Sequence, residues 1–255
     1  MHIKDFYTPH IIKRRGFGRK KLSKPFAFFL AIVLLVGAAV SAFVFIIPNI
    51  GVRLNRRTYF VLTLGTSTSL GEAESLSSEV KNGGGGGFII NDGIFHVSAA
   101  AYLTRQDADG VAARMDGFET GVFVVDVPRV RVRAMDNRAD NRALRDILLF
   151  SAQLIEYVIY QNVRLDTEQT TDSAIIYLFG IRLESIKEQI AKLENLIYLH
   201  YDNQFLVYTL EFFVYFLYDF NKMISITSGD GLVTHRLKYF SVKHLLRYQA
   251  LIYAL

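Results

Sequence analysis

The chain has 255 residues, a hydrophobic content of 51%, a formal net charge of +5 and no cysteine. The absence of cysteine excludes disulfide frameworks, thiolate metal sites and a cysteine nucleophile. Eight of the 29 lysine and arginine residues fall within the first 25 residues, so the rest of the chain is close to neutral. The positive charge therefore describes a basic tail, and we expect no nucleic-acid partner.

The basic tail, residues 1–25, is followed by an apolar segment without charge at residues 26–48. A helix of about 20 apolar residues is long enough to cross a bilayer core, which predicts a single transmembrane helix and a membrane location. The excess of basic residues before this segment predicts a cytoplasmic N-terminus and extracytoplasmic C-terminal domains. Residues 40–42, Val-Ser-Ala, resemble a cleavage site, so a cleaved signal peptide is an alternative.

Residues 49–57 are predicted to be a linker, and residues 58–128 a small α+β domain. β-branched and aromatic runs separated by turn signals predict strands, and three-four spacing of apolar residues predicts helices. The predicted order is strand, helix, strand, strand, helix, strand at residues 59–64, 71–82, 88–90, 94–101, 104–115 and 122–127. This βαββαβ order is ferredoxin-like, with two helices on one sheet face and the other face uncovered.

Five consecutive glycines, residues 83–87, join the first predicted helix to the second strand. A phosphate-binding loop is excluded, because its Gly-Lys-Ser/Thr sequence opens a helix after a strand and is missing here. We therefore expect a flexible loop at this position.

The predicted α+β domain resembles the SPOR domain, the bacterial sporulation-related repeat. The resemblance covers about 70 of the 255 residues. It rests on an aromatic-rich first strand that ends at Gly65, Ala73 and Leu76 in the first helix, Phe95, His96 and Val97 in a strand closed by Tyr102, and the Arg105–Ala108 start of the second helix.

Membership of that family implies binding of peptidoglycan glycan strands through the uncovered sheet face. The residues that the resemblance and the strand alternation place on this face are Tyr59, Thr63, His96, Ser98 and Tyr102. His96 is predicted to point away from Phe95 and Val97, because successive strand residues face opposite sides. A degenerate domain that contacts protein and no sugar is the alternative.

Residues 129–255 are predicted to form a helical domain. Apolar residues at three-four spacing predict four antiparallel helices in a bundle, at about residues 142–164, 172–199, 203–226 and 233–255. The aromatic-rich segment 205–218 contains Glu211 and is too short to cross a bilayer. A bundle core is the predicted location of its aromatic side chains, and a surface for protein partners is the alternative.

No HExxH zinc motif, GxSxG nucleophile elbow or other catalytic pattern occurs in the sequence, so we expect no enzyme activity, cofactor or metal. Our hypothesis is a membrane-anchored peptidoglycan-binding accessory protein of cell division or sporulation. The alternative is a scaffold of a division or sporulation complex with a degenerate SPOR-like domain.

Overall fold

The computed structural model describes residues 52–226 and 232–255, which belong to one compact unit, Gly51–Leu255. The predicted tail at residues 1–25 and the predicted spanning segment at residues 26–48 lie outside the described residues. Among the helices that are described, none combines the length and the hydropathy needed to cross a membrane. The fold is α+β, as the sequence predicts.

The described residues form six strands and six helices. The strands are β1 (Val52–Leu54), β2 (Arg57–Ser67), β3 (Phe88–Asn91), β4 (Phe95–Tyr102), β5 (Gly121–Val127) and β6 (Val130–Val132). The helices are α1 (Leu70–Asn82), α2 (Arg105–Ala112), α3 (Arg138–Asp166), α4 (Asp172–Leu199), α5 (Gln204–Ile224) and α6 (Leu232–Tyr253).

Four strands form an antiparallel sheet in the order β3-β4-β2-β5. The long strand β2 lies in the centre, where Phe60 pairs with Tyr102 of β4 and with Val124 of β5. The predicted turn between β3 and β4 is confirmed, with Gly93 at a positive φ of 111°. Strands β1 and β6 pair in a separate two-stranded sheet, which the sequence analysis missed by assigning residues 49–57 to a linker.

Helices α1 and α2 cover one face of the four-stranded sheet, the first face. Leu62, Leu64 and Val97 point to this side and pack with Ala73 of α1 and Ala108 of α2. Thr104 caps α2 as predicted, since its side-chain oxygen accepts a hydrogen bond from the Asp107 N–H at 3.1 Å.

Helices α3 and α6 pack on the opposite side of the sheet, the second face. Tyr59, Val61 and Val125 of the sheet share one hydrophobic core with buried residues of these helices, such as Leu148 and Leu245. The expectation of an uncovered second face is therefore wrong. The physical reason is that strands β2 and β4 carry apolar side chains on both sides, and each side must be removed from water.

The remaining two helices lie beyond this layer. α5 packs against α6 and α4, and α4 also contacts α3, so the four predicted helices surround a shared aromatic core. That core contains Phe179 stacked on Phe220, with ring centroids 4.3 Å apart, and Phe216 against Phe240 at 4.9 Å. Sheet and helices share one core, so residues 58–128 have no separate apolar interior on the second face.

The glycine run is a packing site, and the expectation of a flexible loop is wrong. Gly85, Gly86 and Gly87 are buried. A Cβ added to Gly86 would lie 2.7 Å from the Tyr239 backbone nitrogen of α6 and 2.9 Å from the Ala99 carbonyl oxygen of β4. The absence of a side chain therefore lets α6 approach the sheet at the backbone level.

Candidate functional site

Four of the five residues predicted to contact glycan are buried: Tyr59, Thr63, Ser98 and Tyr102 are each less than 5% exposed. Tyr59 points into the core below α3 and α6, where burial raises the pKa of its hydroxyl. The Tyr59 hydroxyl finds no hydrogen-bond partner among the described residues. A sugar ring therefore has no access to this tyrosine in the structure.

Ser98 and Tyr102 use their hydroxyl groups within the fold. The Ser98 hydroxyl donates to the Phe88 carbonyl oxygen of the adjacent strand at 2.9 Å. The Tyr102 hydroxyl donates to Asp166 Oδ2 at the C-terminal end of α3, at 3.1 Å, and the Tyr102 ring packs in the core of the first face. Both groups act as structural links.

His96 is the predicted residue that keeps an accessible side chain, which is 20% exposed. The prediction of its direction is confirmed: Phe95 and Val97 pack on the first face, whereas the His96 ring lies 5.5 Å from that of Phe123. His96 Nε2 lies 3.0 Å from Asp92 Oδ1 in the β3–β4 turn. At this end of the second face, the partly exposed His96 side chain with Asp92 and Phe123 forms a small site, the polar corner.

Specific polar contacts hold α6 to the sheet and to α3, in addition to the apolar core. Lys238 Nζ pairs with Asp166 Oδ1 at 2.5 Å, and both side chains are nearly buried. The Ala101 N–H donates to the Ser241 hydroxyl at 3.4 Å, and the Gln249 side-chain amide donates to the Asp126 carbonyl oxygen at 2.9 Å. Two contacts to the sheet and one to α3, spread over three turns of α6, fix the position of this helix, which argues against a loosely attached cover.

A second polar group lies between α5 and α6. Asp219 Oδ2 accepts hydrogen bonds from Lys243 Nζ at 2.6 Å and from His244 Nε2 at 2.7 Å. His244 is fully buried against the rings of Phe216 and Phe240, and its Nδ1 has no partner among the described residues. A proton on Nδ1 would be buried without an acceptor.

The two ionisable groups of this cluster shift in the same direction. Burial lowers the pKa of His244 to about 4, although the Asp219 carboxylate opposes that shift. Burial would raise the pKa of Asp219, but the hydrogen bonds from His244 and Lys243 outweigh it and lower the pKa. The cluster therefore holds a neutral histidine and an ionised aspartate at neutral pH.

The outer side of α5 forms an exposed aromatic surface, the tyrosine face, defined by Tyr208, Val214, Tyr215 and Tyr218. Each of these side chains is about half exposed. Their spacing of three, four and seven residues places them along one side of the helix, while the opposite side carries the buried phenylalanines. The outer side of an amphipathic surface helix is usually polar, whereas over about 15 Å of α5 these four side chains surround a single exposed carboxylate, that of Glu211.

Cations order two of these tyrosines. The Arg247 guanidinium of α6 lies 3.9 Å from the centre of the Tyr215 ring, and Lys222 Nζ lies 4.4 Å from that of Tyr218. Such contacts restrict the ring orientation and occupy one face of each ring, while about half of each side chain stays exposed. The predicted core location of residues 205–218 is confirmed for the phenylalanines and wrong for the tyrosines.

Within residues 52–226 and 232–255, no group of three or more histidine, aspartate or glutamate side chains is arranged to hold a metal ion. A cavity of about 370 Å³ lies beside β3 and is lined by α1, β3 and Tyr239 of α6.

No protein-family model matches the chain, and no curated protein matches it. A solved structure that matches is the solution structure of the peptidoglycan binding domain of the B. subtilis cell wall lytic enzyme CwlC. The match is 25% identical in sequence, spans 27% of this chain and 90% of that chain, and has a TM-score of 0.24.

Proposed function

We propose that the chain is a non-catalytic interaction protein of the bacterial cell envelope, anchored through residues 26–48, that binds a protein partner through the tyrosine face of α5. In this proposal the SPOR-like, ferredoxin-like unit is degenerate. Its second face holds α3 and α6 in place of glycan, and the complete protein serves as a scaffold in cell division or sporulation.

The observation that carries the proposal is the pair of surfaces described above. The sheet face expected to bind sugar is filled by helices of the same chain, and on the outer side of α5 three half-exposed tyrosines and Val214 lie around the exposed Glu211. Tyrosine and arginine are enriched where protein interfaces concentrate their binding energy. A tyrosine ring held by a cation loses little conformational freedom on binding, which favours association.

Site-specific photo-crosslinking in the cells of origin tests the proposal. A benzoylphenylalanine is placed singly at Tyr215 or Tyr218 of the full chain, and at Tyr253 of α6 as an exposed tyrosine control. We expect one discrete protein adduct from Tyr215 and Tyr218 and none from Tyr253. The double substitution Tyr215→Ser/Tyr218→Ser should also remove the adduct formed from a crosslinker at Tyr208.

Equal adducts from all three positions would contradict the proposal, because they would indicate random collisions. Absence of an adduct from both Tyr215 and Tyr218 would contradict it as well.

Peptidoglycan binding is a second candidate function, and the polar corner at His96 favours it. The His96 ring remains accessible there between Asp92 and Phe123. A co-sedimentation assay with denuded peptidoglycan separates the two functions. Specific pelleting of the full chain that is lost in His96→Ala would support glycan recognition, and pelleting that His96→Ala leaves unchanged would count against this corner.

A further inference from the structure

Strand β3 is an edge of the four-stranded sheet and pairs with β4 alone in the described part of the chain. An edge strand presents unpaired backbone N–H and C=O groups at alternate residues. Proteins protect such an edge by keeping the strand short, as in the four-residue β3, or by placing proline or charged side chains on it. The sequence of β3, Phe-Ile-Ile-Asn, contains neither.

A groove of about 370 Å³, the edge groove, runs beside this strand. Helix α1 forms one wall, Gly87, Phe88 and Ile89 form the floor, and Tyr239 of α6 stands on the other side. The Ser77 hydroxyl donates to the Gly87 carbonyl oxygen at 2.6 Å, and the Phe88 and Tyr239 rings meet edge to face at 5.2 Å. These contacts fix the strand relative to both walls.

The α1 wall of the edge groove carries opposite charges at its two ends. Glu74 and Lys81 lie seven residues apart on one side of the helix, which corresponds to roughly 10 Å. The aliphatic part of Lys81 lies against Gly87, so the positive end is beside the start of β3. The negative end lies further along the strand, because the glycine turn reverses the chain between α1 and β3.

We propose that the edge groove binds an extended peptide of a partner protein, which adds to the sheet as a fifth strand antiparallel to β3. The backbone N–H and C=O groups along the edge of β3 alternate as donors and acceptors. A polypeptide in extended conformation is the ligand that pairs with such groups. An antiparallel strand runs towards Lys81. It therefore places a basic side chain near Glu74 and, closer to its C-terminus, an acidic side chain near Lys81.

This site lies apart from the proposed function, because α5 does not line the groove.

Fluorescence anisotropy with the full chain tests the proposal. The probe is an eight-residue peptide of alternating valine and threonine with lysine at its second and glutamate at its sixth position, which places both charges on the same side of the added strand. A peptide with the two charges exchanged tests direction, and a peptide with N-methylated alternate amides tests backbone pairing. The protein variant Glu74→Lys/Lys81→Glu exchanges the charges of the wall.

We expect saturable binding of the first peptide, about fivefold weaker binding of the charge-exchanged peptide, and the reverse preference in Glu74→Lys/Lys81→Glu. N-methylation should abolish binding in both proteins. No saturable binding, equal binding of the N-methylated peptide, or an unchanged preference in the variant would each overturn the proposal. None of these results would alter crosslinking from the tyrosine face, so the two proposals fail separately.

Discussion

Substitution of Gly86 by alanine measures how closely α6 sits on the sheet. The added Cβ would lie 2.7 Å from the Tyr239 nitrogen, 2.8 Å from the Lys238 carbonyl carbon and 2.9 Å from the Ala99 carbonyl oxygen. All three are backbone atoms of α6 or β4, so no side-chain rotation relieves the contact. The φ angle of Gly86 lies outside the left-handed region, which leaves steric crowding as the cause of any effect.

The expected cost follows from that crowding. Real Cβ atoms essentially never approach other heavy atoms to less than 3.0 Å, so α6 and β4 must move apart. Overpacking of this kind destabilises a protein by about 1–3 kcal/mol. We therefore expect Gly86→Ala to lower the free energy of unfolding by about 2 kcal/mol.

Gly83 in the same run provides the matched control. Its added Cβ would meet the nearest atoms, the Glu79 and Val80 carbonyl oxygens, at an ordinary distance of 3.6 Å, and its φ is −82°. The assay is urea unfolding of the full chain, followed by far-UV circular dichroism. A Gly86→Ala variant within about 0.5 kcal/mol of Gly83→Ala would refute the close packing of α6 on the sheet.

Three further predictions concern the polar groups. Lys238→Met should lower the free energy of unfolding by about 3–5 kcal/mol, because it leaves Asp166 buried without its cation. Adding Asp166→Asn should restore part of this loss, and no gain in stability from this second substitution would contradict the pairing. Folding lowers the pKa of His244 from 6.5 to about 4. As the pH falls, this histidine is therefore protonated in the unfolded chain before it is protonated in the folded chain, which lowers the free energy of unfolding. Wild type should therefore lose about 3 kcal/mol more stability than His244→Phe between pH 7 and pH 4, as followed by urea unfolding, and equal losses would show that His244 does not remain neutral. In co-sedimentation with denuded peptidoglycan, the pelleted fractions of the full chain and of His96→Ala should both be as low as that of bovine albumin. Strong specific pelleting of the full chain would favour the glycan function.

The order of the elements could be predicted from local signals. Runs of β-branched and aromatic residues bounded by turn signals located β2, β4 and β5 to within a few residues, and the Asn-Asp-Gly turn located the β3–β4 hairpin. Three-four spacing located the four long helices, since each buries one continuous side. The short pair β1 and β6 escaped, because three-residue strands with an arginine at their centres give no clear pattern.

The position of the helices on the sheet could not be predicted from those signals. The three-four spacing of apolar residues is the same whether the apolar side of a helix packs against another helix or against a sheet. One available signal was the Ala99-Ala100-Ala101 run in β4, where small apolar residues replace the polar alternation of a strand with one solvated side. The glycine run was the second available signal, because close contact between two buried backbones requires glycine, as a tight turn does.

Thiol labelling at the contact between α6 and β4 tests the covering of the second face most directly, because the chain contains no cysteine of its own. Ser241 is 1% exposed and faces the Ala101 N–H, whereas Ser75 of α1 is exposed. With α6 seated on the sheet, Ser241→Cys in the native full chain should react with a maleimide on the order of 1,000-fold more slowly than Ser75→Cys, at a rate limited by unfolding. Reaction of Ser241→Cys within about tenfold of the control would show that the second face opens readily and would contradict the account.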